Sequence, residues 1–325
     1  MKNLNYNKTA THNRQPPFQT QPETLQSPMT KKTLAITASL CLPLILWYLF
    51  IKPYDYLMTF TAKTSPGTIY TGIREWGNTE NIITLENHHF SAITQQLKAG
   101  DSTLTFNWEM TSRNDSVTKV KVRVTDPEHS LRNKIAVLFT RSAIENISVN
   151  RVANFKKGLE EHLKTFRVKV NGISEIPKAF CACTTVRTRQ PEKAQGMRQH
   201  YSTATDFLTT NGIRQKGVPR LEVNDWDIED RIIRFNFCFP IQKSDSLPEG
   251  PGIFYKEIPS RKAIKATFHG DYSISDRAWF ALLDYARRNH LNISAKPLEI
   301  FYSNPNTGTN PLGWKAEVFM PIDEN

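Results

Sequence analysis

The chain has 325 residues, with 42 Lys and Arg against 31 Asp and Glu, a formal net charge of +11, and four cysteines. That length holds about two domains of ordinary size once non-globular segments are set aside, and the positive charge suits anionic surroundings such as lipid headgroups or acidic ligands. The basic residues form no single stripe, and neither a helix-turn-helix nor a zinc-finger pattern is present, so specific nucleic-acid recognition is excluded as an expectation.

Residues 1–30 are polar, with runs such as Gln15-Pro16-Pro17-Phe18-Gln19 and no sustained apolar period, and read as a disordered tail. From Thr33 to Ile51 come 19 residues without a charge, flanked by Lys31-Lys32 and Lys52 and ending near Trp47, Tyr48 and Tyr54. That pattern predicts a transmembrane helix over 31–53, kinked at Pro43. Arg14, Lys31 and Lys32 before it slightly outweigh Lys52 and Lys63 after it. The bias predicts a single-pass protein of the bacterial inner (cytoplasmic) membrane with its N-terminus in the cytoplasm.

The first folded part is expected over 54–170. Tyr56 to Lys63 alternates as an edge strand, and Ser65-Pro66 then opens a short helix. Thr103 to Met110 and Val117 to Val124 alternate strictly on either side of the turn-rich Ser112 to Ser116, which predicts a hairpin with one buried face. Val152, Phe155, Leu159, Leu163 and Phe166 recur at steps of three and four, so a closing helix buries that stripe. Ser65-Pro66 with Ile69-Tyr70 and Trp76, the Trp108 hairpin and the closing helix together resemble the START-like (SRPBCC, polyketide-cyclase-like) helix-grip family. The resemblance implies a sheet curled round a helix and a lipid-like or aromatic ligand.

From 171 to 325 the sequence repeats itself. Arg234-Phe235-Asn236-Phe237-Cys238-Phe239-Pro240-Ile241 aligns with Lys315-Ala316-Glu317-Val318-Phe319-Met320-Pro321-Ile322. Upstream, Asn211 precedes Pro219, and Asn289 precedes Pro297, by the same eight residues. Amphipathic helices come before these turns, marked by Met197, Tyr201, Ala204 and Leu208 in one copy and Trp279, Leu282, Leu283 and Ala286 in the other. A β-α-β-β unit cannot close its own apolar face but can do so against its twin, which predicts an α+β domain with pseudo-twofold symmetry and a groove between the halves. Strand alternation puts Glu317 on one face with Phe319, and Asn236 on one face with Cys238. Cys181, Cys183 and Cys238 are either buried thiols or include one disulfide. The Cys-x-Cys pair lacks further ligands at zinc spacing, so neither a metal nor a cofactor is expected.

Gly252-Ile253-Phe254-Tyr255, Ala266 to Tyr272, the Trp279 helix, Glu299 to Pro305 and the Trp314 to Ile322 strand resemble the GyrI-like (gyrase-inhibitor-like) effector-binding domain of bacterial transcription activators. That resemblance implies a drug-like, cationic or aromatic ligand in an aromatic groove with a glutamate at its floor, and some relatives hydrolyse reactive small molecules there. Carried over by motif, the glutamate is Glu317 and the aromatics are Tyr302, Trp279 and Tyr272, with Trp226 from the first copy. Asn236 is the repeat equivalent of Glu317. The chain departs from the regulators in having no DNA-binding domain, so no direct nucleic-acid partner is expected. The leading reading is a membrane-anchored small-molecule-binding protein; the alternatives are a hydrolase with Glu317 as general acid or base and a lipid carrier acting through the first domain.

Overall fold

The computed structural model describes residues 31–79, 82–88, 90–137, 139–140, 142–305, 308 and 310–323. The tail expected over 1–30 lies outside the described residues. The fold is mixed α+β, with two antiparallel sheets.

The apolar N-terminal segment corrects the membrane expectation. Helix α1 (Lys31–Leu46) runs for 16 residues and gives way to a five-residue π-helical turn, Trp47–Ile51. At about 1.5 Å per residue, 16 residues reach roughly 24 Å, short of the roughly 30 Å of a bilayer's hydrocarbon core. Among the described residues no helix is long and apolar enough to cross a membrane. The single-pass, inner-membrane placement expected from the charge-free run falls with it: absence of charge over 19 residues did not translate into one continuous helix.

The rest of the chain begins with strand β1 (Tyr56–Ala62), helix α2 (Pro66–Thr79), strands β2 (Ile83–His88), β3 (Ala92–Ala99), β4 (Ser102–Asn114) and β5 (Val117–Thr125), and helices α3 (Ser130–Ala136) and α4 (Ala143–His162). The five strands pair in the order β1-β5-β4-β3-β2, with β1 at the expected edge. Strict alternation in β4 and β5 buries Leu104, Phe106, Trp108, Val120, Val122 and Val124 on one face. Ile69 and Ile73 of α2 and Val152, Phe155 and Leu159 of α4 complete that core. Trp108 stacks edge-on against Phe155 at 5.1 Å and against Trp76 at 6.2 Å, so rings fill the space between sheet and helices. Ser142 caps α4 by accepting the Glu145 N–H at 3.0 Å. Phe166, expected on the closing helix, instead starts the next strand.

The second sheet contains β6 (Phe166–Ile176), β7 (Ala179–Arg189), β8 (Arg220–Asp227), β9 (Ile232–Pro240), β10 (Phe254–Ile258), β11 (Arg261–Gly270), β12 (Leu298–Phe301) and β13 (Lys315–Pro321). Helix α5 (Lys193–Thr210) follows β7, and α6 (Asp276–Arg288) follows β11. The order is β10-β7-β9-β8-β12-β13-β11-β6. Strands β6 and β7 are joined only by Pro177-Lys178, yet β6 pairs with β11 while β7 pairs with β10. Likewise only Pro259-Ser260 separates β10 from β11, so each half lends its first strand to the other. The expected domain boundary at 170 therefore falls inside β6.

Side-chain alternation gives this sheet two cores. Phe235, Phe237, Phe239, Ala316, Val318 and Met320 pack with Met197, Ala204, Leu208, Trp279 and Leu282 on the helix side. On the opposite side Cys181, Cys183, Cys238, Leu298, Ile300 and Phe319 pack with Ile176 and Ile258 from the two proline corners. Fully burying an aliphatic or aromatic side chain of this kind contributes about 1.5–3 kcal/mol, so both faces of the sheet's middle are stabilised.

Helix α6 also packs on α2. A Cβ placed on Gly67 would lie 2.7 Å from the Phe280 Cβ, so only glycine lets the two helices approach this closely. Polar contacts rim the junction: Ser112 Oγ donates to Asp284 Oδ2 at 2.6 Å, Arg231 pairs with Glu75 at 2.8 Å, and Arg288 pairs with Asp115.

Cys183 and Cys238 face one another in register on β7 and β9 and form a disulfide, which decides between the alternatives left by the sequence. Cys41 is exposed and Cys181 is buried, and both are free. Burial pushes the Cys181 thiol up to about 11. The bond spans 55 residues, which on the chain-entropy model corresponds to about 4 kcal/mol. Thiol titration of the unfolded, unreduced chain is therefore expected to find Cys41 and Cys181 only, and alkylation at pH 8 in the folded protein to reach Cys41 alone. Replacing Cys183 and Cys238 together by Ala is expected to lower unfolding stability by about 2–4 kcal/mol in guanidinium titrations. Four free thiols, or unchanged stability, would contradict this arrangement.

Candidate functional site

A cavity of about 510 Å³ opens on the helix side of the second sheet. Helix α5 contributes Met197, Arg198 and Tyr201 to one wall because these residues lie at steps of one, three and four on its sheet-facing and rim-facing sides. Phe237 of β9 and Phe301 of β12 form the floor. Asp271, Tyr272, the 302–305 segment and Trp314 close the far wall. The Tyr272 ring lies 4.7 Å from Phe301 and 5.6 Å from Trp314. Its hydroxyl donates to the Lys315 carbonyl at 2.8 Å and accepts the Ser303 N–H at 3.0 Å. Burial raises the Tyr272 phenol pKa, and the nearby Glu299 charge adds to that rise while the hydrogen bonds with Ser303 oppose it.

Behind Tyr272 lies a polar cluster with no solvent exposure. The Lys193 ammonium, at the start of α5, is 2.6 Å from Glu299 Oε1 and also donates to the Ser275 hydroxyl. Ser275 in turn donates to Glu299 Oε2 at 2.6 Å. Lys193, Ser275 and Glu299 are each 0% exposed, and the ammonium stands 4.7 Å from the Trp279 ring centroid. Separately, Gln190 donates to Asp276 Oδ2 at 2.6 Å and accepts the Trp226 indole N–H at 2.9 Å.

Six residues were singled out from the sequence, and the structure distributes them over three places. Tyr272 and Tyr302 line the cavity. Trp279, fully buried, stacks edge-on with Trp226 at 5.1 Å in the helix-side core, near the junction with α2. Glu317 projects from the opposite face of the sheet, as its alternation with Ala316 and Val318 requires. There Lys265 at 2.9 Å, Lys315 at 3.1 Å and the Tyr302 hydroxyl at 3.0 Å surround its carboxylate. Asn236 of β9 binds Thr185, Asn224 and Glu222 at 2.9–3.1 Å, with Lys256 pairing Glu222 at 2.5 Å.

Charge on that face follows from these contacts. Burial alone would raise the Glu317 pKa, but hydrogen bonds from Lys265, Lys315 and Tyr302 outweigh it and hold the carboxyl below its usual range. Burial and the Glu317 hydrogen bond push the Tyr302 phenol up to about 12, so it remains a donor at neutral pH.

Lys193 and Glu299 escaped the sequence reading. Glu299 sits between Leu298 and Ile300, and alternation with Phe301 was a signal that it faces the helices. Lys193 carried no such mark, because a lysine at the start of a helix ordinarily points into water. Tyr201, Phe237 and Trp314 were each legible as apolar positions, but only the closed sheet brings them to one hollow.

Residues 183–323 match the family described as GyrI-like small molecule binding domain. No curated protein matches the sequence. Among solved structures, the EcmrR C-terminal domain is 16% identical, covering 49% of this chain and 99% of that chain at a TM-score of 0.41. SAV2435 bound to tetraphenylphosphonium is 10% identical, covering 48% and 94% at a TM-score of 0.36. A hydrolase from Listeria innocua is 14% identical, covering 50% and 98% at a TM-score of 0.33.

Glu317 supplies a pH test. Its folded pKa is depressed, so its contribution is complete above the unfolded-state value of about 4.3 and disappears as pH falls through the folded value. Glu317→Gln is expected to cost about 1 kcal/mol at pH 7 and progressively less below about pH 4. Denaturant melts of both chains from pH 2.5 to 7 check this; a difference that grows on acidification would contradict it.

Proposed function

We propose that the protein binds a small aromatic molecule in the cavity between α5 and the 301–305 segment, without covalent chemistry. The observation that carries the reading is an aromatic-walled hollow of about 510 Å³, built wholly from residues within the GyrI-like segment. That volume lies in the range of roughly 300–1,000 Å³ used by small-molecule sites. Tyr201, Phe237, Tyr272, Phe301 and Trp314 offer ring faces and edges, while the Ser303 and Asn304 region and the Arg198 guanidinium give polar handles. Tyr272 and Tyr302 are the site residues kept from the sequence reading. Glu317 acts on the ligand only through Tyr302, whose ring it fixes from the other face.

The domain organisation supports this assignment of roles. We read the second sheet as two β-α-β-β units related by a pseudo-twofold axis between β8 and β12; the order β10-β7-β9-β8 followed by β12-β13-β11-β6 supports it, because each strand has its repeat equivalent at the mirrored position. The first sheet, with α2 and α4 against one face, supports the helix-grip, START-like reading for the first folded part, expected over residues 54–170. Its interior is taken up by Trp76, Trp108 and Phe155, which favours a docking and support role over lipid carriage. For Glu317 as a general acid, a raised pKa would be needed; its depression favours binding over hydrolysis.

Thermal melts of the full chain against a panel of aromatic small molecules test the reading. A ligand at 100 times its Kd should stabilise the fold by about 2.7 kcal/mol. Met197→Trp, which fills the hollow from α5, is expected to abolish that stabilisation, and Glu317→Gln to reduce it only partly. Stabilisation that survives Met197→Trp would place the ligand elsewhere.

A further inference from the structure

The outer edge of β7 is only half covered. Strand β7 pairs with β9 over residues 181–189, while β10 takes its other edge over 179–183 alone. Two backbone bonds fix which amides are left. The Ile241 N–H donates to the Phe180 carbonyl at 2.8 Å, and the Gln190 N–H to the Arg231 carbonyl at 2.7 Å. The even-numbered residues of β7 therefore bond towards β9, and the odd-numbered ones turn their N–H and C=O groups outward. Cys181 and Cys183 meet β10 there, but Thr185, Arg187 and Arg189 are exposed, and their backbone groups have no partner among the described residues.

On β11 the same position is filled. Residues 166–170 of β6 pair with 266–270, with Phe166 stacked on Phe268 at 6.2 Å, Val168 and Val170 against the helix-side core, and Arg167 and Lys169 exposed on the other face. In the pseudo-twofold reading proposed above, residues 184–188 of β7 correspond to 266–270 of β11, so the first half lacks the length of strand that β6 gives the second. An open groove of about 560 Å³ lies at that place, between Thr184 and Thr185 of β7, His200 and Thr203 of α5, and Ile253 and Phe254.

Charge selects the occupant. Arg187 and Arg189 lie on the sheet face opposite the helices, and Arg234 of β9 stands directly across from Arg187; all three are exposed, with no ion pair among the described residues. An added strand would have Arg187 and Arg189 about 5 Å away, whereas Asp225 and Asp227 of β8 on that face would stand about 14 Å off, beyond the screening length of about 8 Å. Glu192 belongs to the helix side, where it accepts from Thr188 Oγ1 at 3.2 Å. A second copy of the chain fits this edge poorly, because antiparallel pairing of two such edges brings their arginines together.

We infer that the free edge of β7 is a strand-addition site for an extended polypeptide segment in which acidic side chains alternate with apolar ones. The acids face Arg187 and Arg189, and the apolar side chains enter the groove beside α5. Main-chain bonds to Thr185, Arg187 and Arg189 supply the affinity, and the alternation supplies the specificity. This edge shares no lining residue with the cavity proposed for the small molecule, so the two stand or fall separately.

The peptide acetyl-Glu-Phe-Glu-Val-Glu-Val-amide, which inverts the charge of the β6 pattern, tests the inference when titrated into the full chain. Binding is expected to slow hydrogen exchange at the amides of Thr185, Arg187 and Arg189 far more than at Val186 and Thr188, which already bond to β9. The counterpart with lysine in place of each glutamate should bind at least ~10-fold more weakly, and Arg187→Gln/Arg189→Gln should remove most of that difference. N-methylation of the peptide's central glutamate, which takes away a bond to β7, should weaken binding about 10-fold, whereas N-methylation of the valine after it should leave binding unchanged. Equal binding of the acidic and basic peptides, equal loss from either methylation, binding without slowed exchange at the three amides, or no binding at millimolar concentration overturns the inference. Slowed exchange at those amides that needs only a higher concentration of the protein overturns it too, because a second copy then holds the edge.

Discussion

One buried ion pair organises the second half of the chain. Lys193 belongs to helix α5, Glu299 to strand β12, and Ser275 to the turn that launches α6. Taking two charges out of water costs several kcal/mol per ion, and that cost is offset only because each oxygen of the carboxylate and the ammonium finds a partner in low dielectric. The pair therefore fixes where α5 stands relative to β12. The cavity walls are set by that placement, since Met197 and Tyr201 follow Lys193 by about one and two helical turns and Phe301 follows Glu299 by two strand residues.

Strand alternation then decides which residues can take part in binding. Residues of β13 divide between a helix-side core, which Val318 shares with Trp279, and the opposite face, where Phe319 shares a core with the Cys183–Cys238 bridge. Glu317 is placed with the second group and spends its charge on Lys265 and Lys315. Helix α6 packs on two sides: Trp279 fills the core of the second sheet, while Phe280 presses on Gly67 of α2 and Asp284 accepts from Ser112. Such all-round burial explains why the sequence of α6 is apolar beyond a single stripe.

Much of this was legible in the sequence. The hairpin of Thr103–Met110 with Val117–Val124 is a local pattern of period two, and the helices of Met197 and Trp279 are local patterns of period 3.6. Elements that rely on distant pairing were not legible. The pairing of β6 with β11 and of β10 with β7 is set by two short proline corners and by partners between 71 and 104 residues away, which no local period encodes. Strands β2 and β3, with Thr84, Glu86, Gln95 and Gln96 among their residues, lack the strong alternation of β4 and β5. The charge-free run at Thr33–Ile51 suggested a membrane span because composition alone cannot show where an α-helix gives way to a π-helical turn. For Glu299 and Lys193, burial depends on each having the other, so neither residue announces itself alone.

A double-mutant cycle across Lys193 and Glu299 tests the organising role of this pair most directly. If the pair holds the seam, Lys193→Met and Glu299→Gln should each cost about 3–5 kcal/mol of unfolding stability. The double variant should then cost far less than their sum, because no unpaired charge or acceptor is left buried. Additive losses, or single variants as stable as the parent chain, would show that α5 and β12 are held together by something else.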